Sequence, residues 1–309
     1  MFTNKEHTPL ENAVPEEYTV TSGFQDPPLW VTASKRCLNI LEAMPSTGEL
    51  SIFEACYEIG RACNKFRDFA GARRYYGRAK RGYEKAQGPE SEKALELSYF
   101  LILCTLWKDT DERIEKYKEL AEKAKSVLGE EHPLTLRTLN ELGVDLKSLG
   151  DYQEAKEFLE PCLAGRERVL GMDDLETLKT AGNLGQVYEM LEKKNNTFGN
   201  YKRALELHER TLVGFEKQLG KTHSNTLATL VNIACVYQND RRHHNAFITF
   251  SQALAGYETQ LGTEHKDTKD CAKNLAATAA CAREKQFLTK LLKVYPHILI
   301  DTPAFGEFI

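Results

Sequence analysis

Apolar residues along this chain fall in runs with helical spacing, and the runs stop at a recurring Leu-Gly pair. The pairs are Leu128-Gly129, Leu170-Gly171, Leu219-Gly220 and Leu261-Gly262, each followed by a short polar stretch before the next run begins. Gly129 to Gly171 is 42 residues and so is Gly220 to Gly262, while Gly171 to Gly220 is 49, the same period with seven residues inserted. Gly88 lies 41 residues before Gly129 and marks a worn copy of the same joint. A fixed period in this range predicts a stacked repeat array.

Within one period, two small positions recur. Gly60, Gly143 and Ala234 stand 28 residues before a joint glycine, and Gly185 stands 35 before, carrying the inserted seven. Ala72, Ala155, Ala204 and Ala246 stand 16 before. Small residues on facing helices allow close packing, and Gly150-Asp151-Tyr152 or Gly199-Asn200-Tyr201 supplies a turn between them. Each repeat therefore reads as helix, tight turn, helix. Residues 49–283 should hold about five such pairs and one further helix. Residues 1–28, with four of the ten prolines, read as extended or partly disordered. Residues 29–45 read as an N-terminal capping helix, Trp30 to Met44, stopped by Pro45. Residues 284–309 read as a C-terminal capping helix, Glu284 to Val294, and an apolar tail that covers the last pair or gives its end to a partner. The second repeat is degenerate, with Leu101 at the small position, and Pro161, inside the second helix of the third repeat, should kink that helix. The insertion, Lys193 to Gly199, reads as a tolerated surface feature that lengthens the helices or forms a loop.

The joint itself could be mistaken for chemistry. His132, His223 and His265 recur three residues after the glycine, but Asp174 fills the same slot, as a helix cap and not as a general base or metal ligand. Pro133 suits the first helical position, and Thr135, Thr177, Thr226 and Thr268 should help satisfy first-turn donors. The eight cysteines form no Cys-x-x-Cys pair, and Cys63 and Cys104 share a repeat position with Leu146, Tyr188 and Tyr237, so they read as core residues. The chain contains no phosphate-binding loop, nucleophile elbow or His-Glu-x-x-His motif, and His243-His244 lacks helix-spaced metal partners. No enzyme, cofactor or metal site is expected. A net charge of −4 and a pI of 6.1 argue against nucleic acid or membrane as the main partner. With no signal segment or apolar run of spanning length, a cytoplasmic location is expected.

Asn-Leu-Gly or Asn-Ile-Ala, then Gly-Asp-Tyr-x-x-Ala, then Leu-Gly-x-x-His-x-x-Thr resembles the tetratricopeptide repeat. The 42-residue period and the joint look like the variety found in kinesin light chains and nephrocystin-type proteins, although the first 45 residues are too short for the kinesin light chain coiled coil. The resemblance implies an all-α, right-handed superhelical solenoid of tetratricopeptide-type helix pairs. It also implies a concave groove faced by Asn183, Asn232 and Asn274, which occupy one repeat position two before a small residue. In such proteins this amide grips the backbone of an extended peptide; an amide suits that task because it donates and accepts together. Arg137, Lys179 and Gln186 should share the face one turn away, the basic pair meeting an acidic segment or a C-terminal carboxylate. The competing reading is an inter-repeat hydrogen bond that only sets stacking. Glu141, Tyr99 and Glu58 replace the Asn in earlier repeats, which confines any ladder to the last three first helices. The expected function is a non-catalytic adaptor or scaffold that binds a protein or peptide partner. The alternative is a regulatory subunit contacting a folded partner through its convex face, insertion or tail. Oligomeric state is open.

Overall fold

The computed structural model describes residues 32, 36, 38–40, 43, 48–105, 110–195 and 199–298. Twelve helices are bounded among them, and no strand occurs among the described residues. The pairs are α1 (Glu49–Lys65) with α2 (Phe69–Gln87), α3 (Glu92–Cys104) with α4 (Thr110–Leu128), and α5 (Pro133–Leu149) with α6 (Tyr152–Val169). They continue as α7 (Leu175–Asn195) with α8 (Asn200–Leu219) and α9 (Ser224–Asn239) with α10 (His243–Leu261), followed by α11 (Lys266–Cys281) and α12 (Lys285–Val294). Each helix packs on the next in sequence, which makes an all-α solenoid. Residues 1–28 and 299–309 lie outside the described residues. Of the expected N-terminal capping helix, Thr32, Arg36, Leu38–Ile40 and Ala43 are helical, and Leu38 is buried against the first repeat.

The joints fold as their chemistry requires. Gly88, Gly129, Gly171, Gly220 and Gly262 take φ between +78° and +100°, a region that only glycine enters freely. His132 Nδ1, His223 Nδ1 and His265 Nδ1 accept from backbone N–H groups two residues on, at 3.1–3.2 Å. Asp174 accepts from both Glu176 N and Thr177 N. The threonines act differently from the expectation. Thr135 and Thr226 donate to the carbonyls of Gly129 and Gly220 at 2.8 Å, tying the helix start back to the joint rather than satisfying first-turn donors. The hydroxyls of Thr177 and Thr268 are buried without a partner.

The small positions bring helices together. A Cβ on Gly60, Gly143 or Gly185 would fall within 2.5–2.7 Å of Tyr76, Leu159 or His208 respectively, so each glycine is the socket for a side chain of the paired helix. Ala72, Ala155, Ala204 and Ala246 are fully buried. Cys63 and Cys104 are buried core residues. Three apolar clusters follow one another along the array, joined by Phe100 between the first and central ones and Tyr237 between the central and last. Tyr295 and Ile298 are buried in the last cluster, so the start of the tail covers α11 and α12.

Two irregularities resolve. The helix α6 continues through Pro161. The insertion extends α7 to 21 residues, against 17 in α5, with residues 196–198 outside the description. Lys194 of the extension donates to Gly150 O and lies 5.7 Å over the Tyr152 ring, clasping the preceding repeat's turn. No helix among the described residues is long and apolar enough to cross a membrane.

Candidate functional site: the inner face

The first helices of consecutive repeats approach one another more closely than the second helices do: α5 touches α7, and α7 touches α9. Closer approach on one side bends a stack toward that side, which makes the first helices the inner face. The six side chains singled out in the sequence lie on these helices and on α11, in different circumstances.

Asn183 and Gln186, half-buried on α7, both accept from one ammonium. Lys147 of α5 donates to Asn183 Oδ1 at 3.1 Å and to Gln186 Oε1 at 2.6 Å. The inter-repeat hydrogen bond expected as the competing reading is thus made at Asn183, whose carbonyl end is held by Lys147. Burial holds the Lys147 ammonium below the usual lysine range, and among the described residues no carboxylate pairs with it. Asn232 is half-buried and Asn274 exposed, and neither side chain makes a hydrogen bond to another described residue. Arg137 lies 5.5 Å over the Tyr99 ring of the preceding repeat. The equivalent Lys179 is exposed and pairs with Glu176 of its own helix at 2.6 Å. The structure thus joins Asn183 with Gln186 through Lys147 and leaves the other four as separate points along the face.

Arg137 opens on a cleft of about 510 Å³ between α3, α5, α6 and α7, lined also by Tyr99, Leu103, Glu141 and Arg166. Glu141, where a ladder Asn would stand, is largely buried, and burial raises its carboxyl above the usual range. Beneath it, Arg166 donates to Glu176 O and Thr180 Oγ1 at 2.8 Å, and Thr180 donates to Asn140 Oδ1 at 3.1 Å. This buried chain locks three helices together.

Sequence reasoning missed the charged members of the α7 neighbourhood. Glu189 is buried, accepts from Asn239 Nδ2 of α9 at 2.6 Å, and is pushed up to about 7 by burial, against the opposing pull of that hydrogen bond and of Lys193. His208 of α8 is fully buried with both ring nitrogens unpartnered, and is pushed down to about 4 by burial and by the Lys147 charge. A signal did exist: Lys147, Glu189 and Gln238 each stand four residues after the small residue of their repeat, on a helix whose other inward positions are apolar.

Two family profiles, each described as a tetratricopeptide repeat, match residues 135–175 and 197–259. Among curated proteins nothing matches the chain. A solved Podosopora anserina protein of kinesin-light-chain type, with nearly identical TPR-like repeats, is 23% identical. It aligns over 70% of this chain and 98% of its own, with a TM-score of 0.56. RapI in its apo form is 14% identical over 90% of this chain and 92% of its own, with a TM-score of 0.59. A Rap conjugation gene regulator of plasmid pLS20, solved in complex with the Phr* peptide, is 14% identical over 89% of this chain and 71% of its own, with a TM-score of 0.54. Two stretches of the chain are thus tetratricopeptide repeats, and the solenoid that contains them has the fold of a kinesin-light-chain-type repeat array.

Proposed function

We propose that this protein is a non-catalytic interaction module that holds an extended, acidic segment of a partner protein along its inner face. Asn183, Asn232 and Asn274 would grip the segment's backbone, with Gln186 beside them and Arg137, Lys147 and Lys179 as its cations. The observation that carries this reading is the state of Lys147, a half-buried ammonium supported, among the described residues, only by two neutral amide oxygens. A charge placed this way is poorly compensated in the free protein, and a partner carboxylate would complete it. The free amides of Asn232 and Asn274, two and three repeats' lengths further on from α5, extend the same line. Tetratricopeptide arrays are typically interaction scaffolds, and a Rap regulator of the same fold carries a peptide, so the architecture is able to hold one. With a net charge of −4, this reading takes the partner to be a protein rather than nucleic acid or a membrane, met in the cytoplasm.

The test is selection of binding peptides from a random library on the whole chain, followed by titration of the winners. Changing Asn183, Asn232 and Asn274 together to Ala should weaken binding by about tenfold or more while leaving the circular dichroism spectrum unchanged. Peptides that bind the triple variant as tightly as the parent would sink the groove assignment.

A further inference from the structure

A different surface, on the outer side of the first repeat, has no part in the inner face. Residues 61–85 hold nine Lys and Arg against Asp68 and Glu84, a net +7 in a chain whose total is −4, so the rest of the protein carries −11. On α2 the cations Arg74, Arg78, Arg81 and Lys85 recur at i, i+4, i+7 and i+11. That spacing sets them in one row of about 17 Å, on the side opposite the buried Ala72, Tyr76, Ala79 and Tyr83. Arg74, Arg81 and Lys85 are exposed. Glu84 turns to Lys80, off the row, and Lys85 reaches Glu49 only at 4.0 Å with both side chains at least 70% exposed.

A solvated helix face ordinarily mixes its charges, and the later second helices do so: Lys116 pairs with Glu119, Lys156 with Glu160, Lys202 with Glu206. The α2 row instead sets three like-charge neighbours in succession, each of which weakens the helix. A second observation falls at its centre. Gly77 is a poor helix residue, and a Cβ there would meet only Arg81 Nη1, at 3.6 Å. Apart from Gly182, where a Cβ would make an ordinary 3.8 Å contact with Thr211 of the paired helix, every other glycine inside a helix would press a Cβ against a neighbouring helix or, at Gly71, into the Asp68 cap. Gly77 therefore serves no internal contact; it leaves a notch in the row, with Arg74 three residues before it and Arg81 four after.

We propose that this row, Arg74, Arg78, Arg81 and Lys85 around Gly77, is a docking surface for a short acidic segment of a partner protein. Arginine forks pair bidentately with carboxylates, and the notch admits the segment's backbone between them. The extent selects the class of partner. The row ends after about 17 Å, and charge is screened within about 8 Å at physiological salt. A long polyanion or an anionic bilayer would run beyond it onto a body of net −11 and be repelled.

The experiment titrates the whole chain with a labelled polyglutamate peptide of about ten residues, an oligothymidylate of matched charge, and phosphatidylserine vesicles, between about 50 and 300 mM salt. Polyglutamate should bind most tightly and lose about tenfold or more over that salt range. R74E/R81E should abolish binding, while the matched charge reversal K202E/K217E on α8, at exposed lysines outside the row, leaves it intact. G77A should raise the melting temperature yet weaken polyglutamate severalfold, which a merely solvated helix would not do. Unaltered binding to R74E/R81E, an equal loss in K202E/K217E, or tighter binding of oligothymidylate or vesicles overturns the proposal. Unaltered binding to G77A overturns the role given to the notch.

Discussion

The turn between paired helices shows how much one residue position can hide. Seven residues after the small residue of a first helix the chain enters the left-handed region in the described turns, at Gly150 with φ of +89° and, past the insertion, at Gly199 with +100°. The same step falls on Arg67, Arg241 and Arg283, at +59°, +59° and +63°. The hydrogen bonds do not change with the residue: Asp151 N donates to Leu146 O, and Arg242 N to Tyr237 O, each closing the helix five residues back. Composition advertised the glycine turns and concealed the arginine ones, because an arginine gives no local sign that its backbone is strained. Only the fixed spacing from the small residue did so. An L-residue in this region costs about 1 kcal/mol or more, so Arg241→Gly should stabilise the protein by about 1 kcal/mol, read as a higher urea midpoint at unchanged slope. A lower midpoint would mean that the Arg241 side chain makes a contact worth more than the strain.

At the scale of elements, periodicity made most of the molecule legible: the pairing of helices, the glycine stops, the histidine and aspartate caps, the sockets at Gly60, Gly143 and Gly185. What it could not show is which polar groups meet across a seam, since that depends on how far one repeat is rotated on the next. Asn183 was legible as a position; Lys147 as its partner was not. Lys147 joins α5 to α7 by two hydrogen bonds, each worth about 1 kcal/mol net. Against this stands the cost of half-burying an ammonium with no counter-charge, of similar size. Lys147→Met should therefore change stability by no more than about 1 kcal/mol, while weakening an acidic groove peptide by about tenfold or more. Calorimetric titration and a urea melt on the same preparation separate the two effects. Loss of several kcal/mol of stability with affinity unchanged would make Lys147 a stacking residue and nothing else.

Across the whole molecule, two buried titrating groups in the central repeats set pH responses of opposite sign. Glu189 is faced by Lys193 on its own helix, by Tyr201 of α8, and by Cys235 and Asn239 of α9. Its folded value, about 7, lies above the unfolded 4.5, so the native state binds its proton more tightly and stability is gained as pH falls from 7 toward 4.5. His208, near Lys147 and set against Gly185, has a folded value of about 4 below the unfolded 6.5. The unfolded chain then takes up the proton first, and stability is lost as pH falls from 6.5 toward 4. Each effect reaches about 3 kcal/mol at most, and over the shared range they offset one another. Glu189→Gln keeps an acceptor for Asn239 and should leave the His208 slope exposed, with stability falling on acidification relative to the parent. His208→Phe restores the apolar residue that Tyr76, Leu159 and Phe250 provide at the same repeat position. It removes two unpartnered nitrogens, so it should stabilise by about 1–3 kcal/mol at neutral pH and by more as pH falls. Differences from the parent cancel the carboxylates common to both, so urea midpoints between about pH 4.5 and 8 read each group by itself. A Glu189→Gln difference curve that is flat with pH would show that the carboxyl stays charged and hydrated between α7 and α9, and that the seam there is open to water.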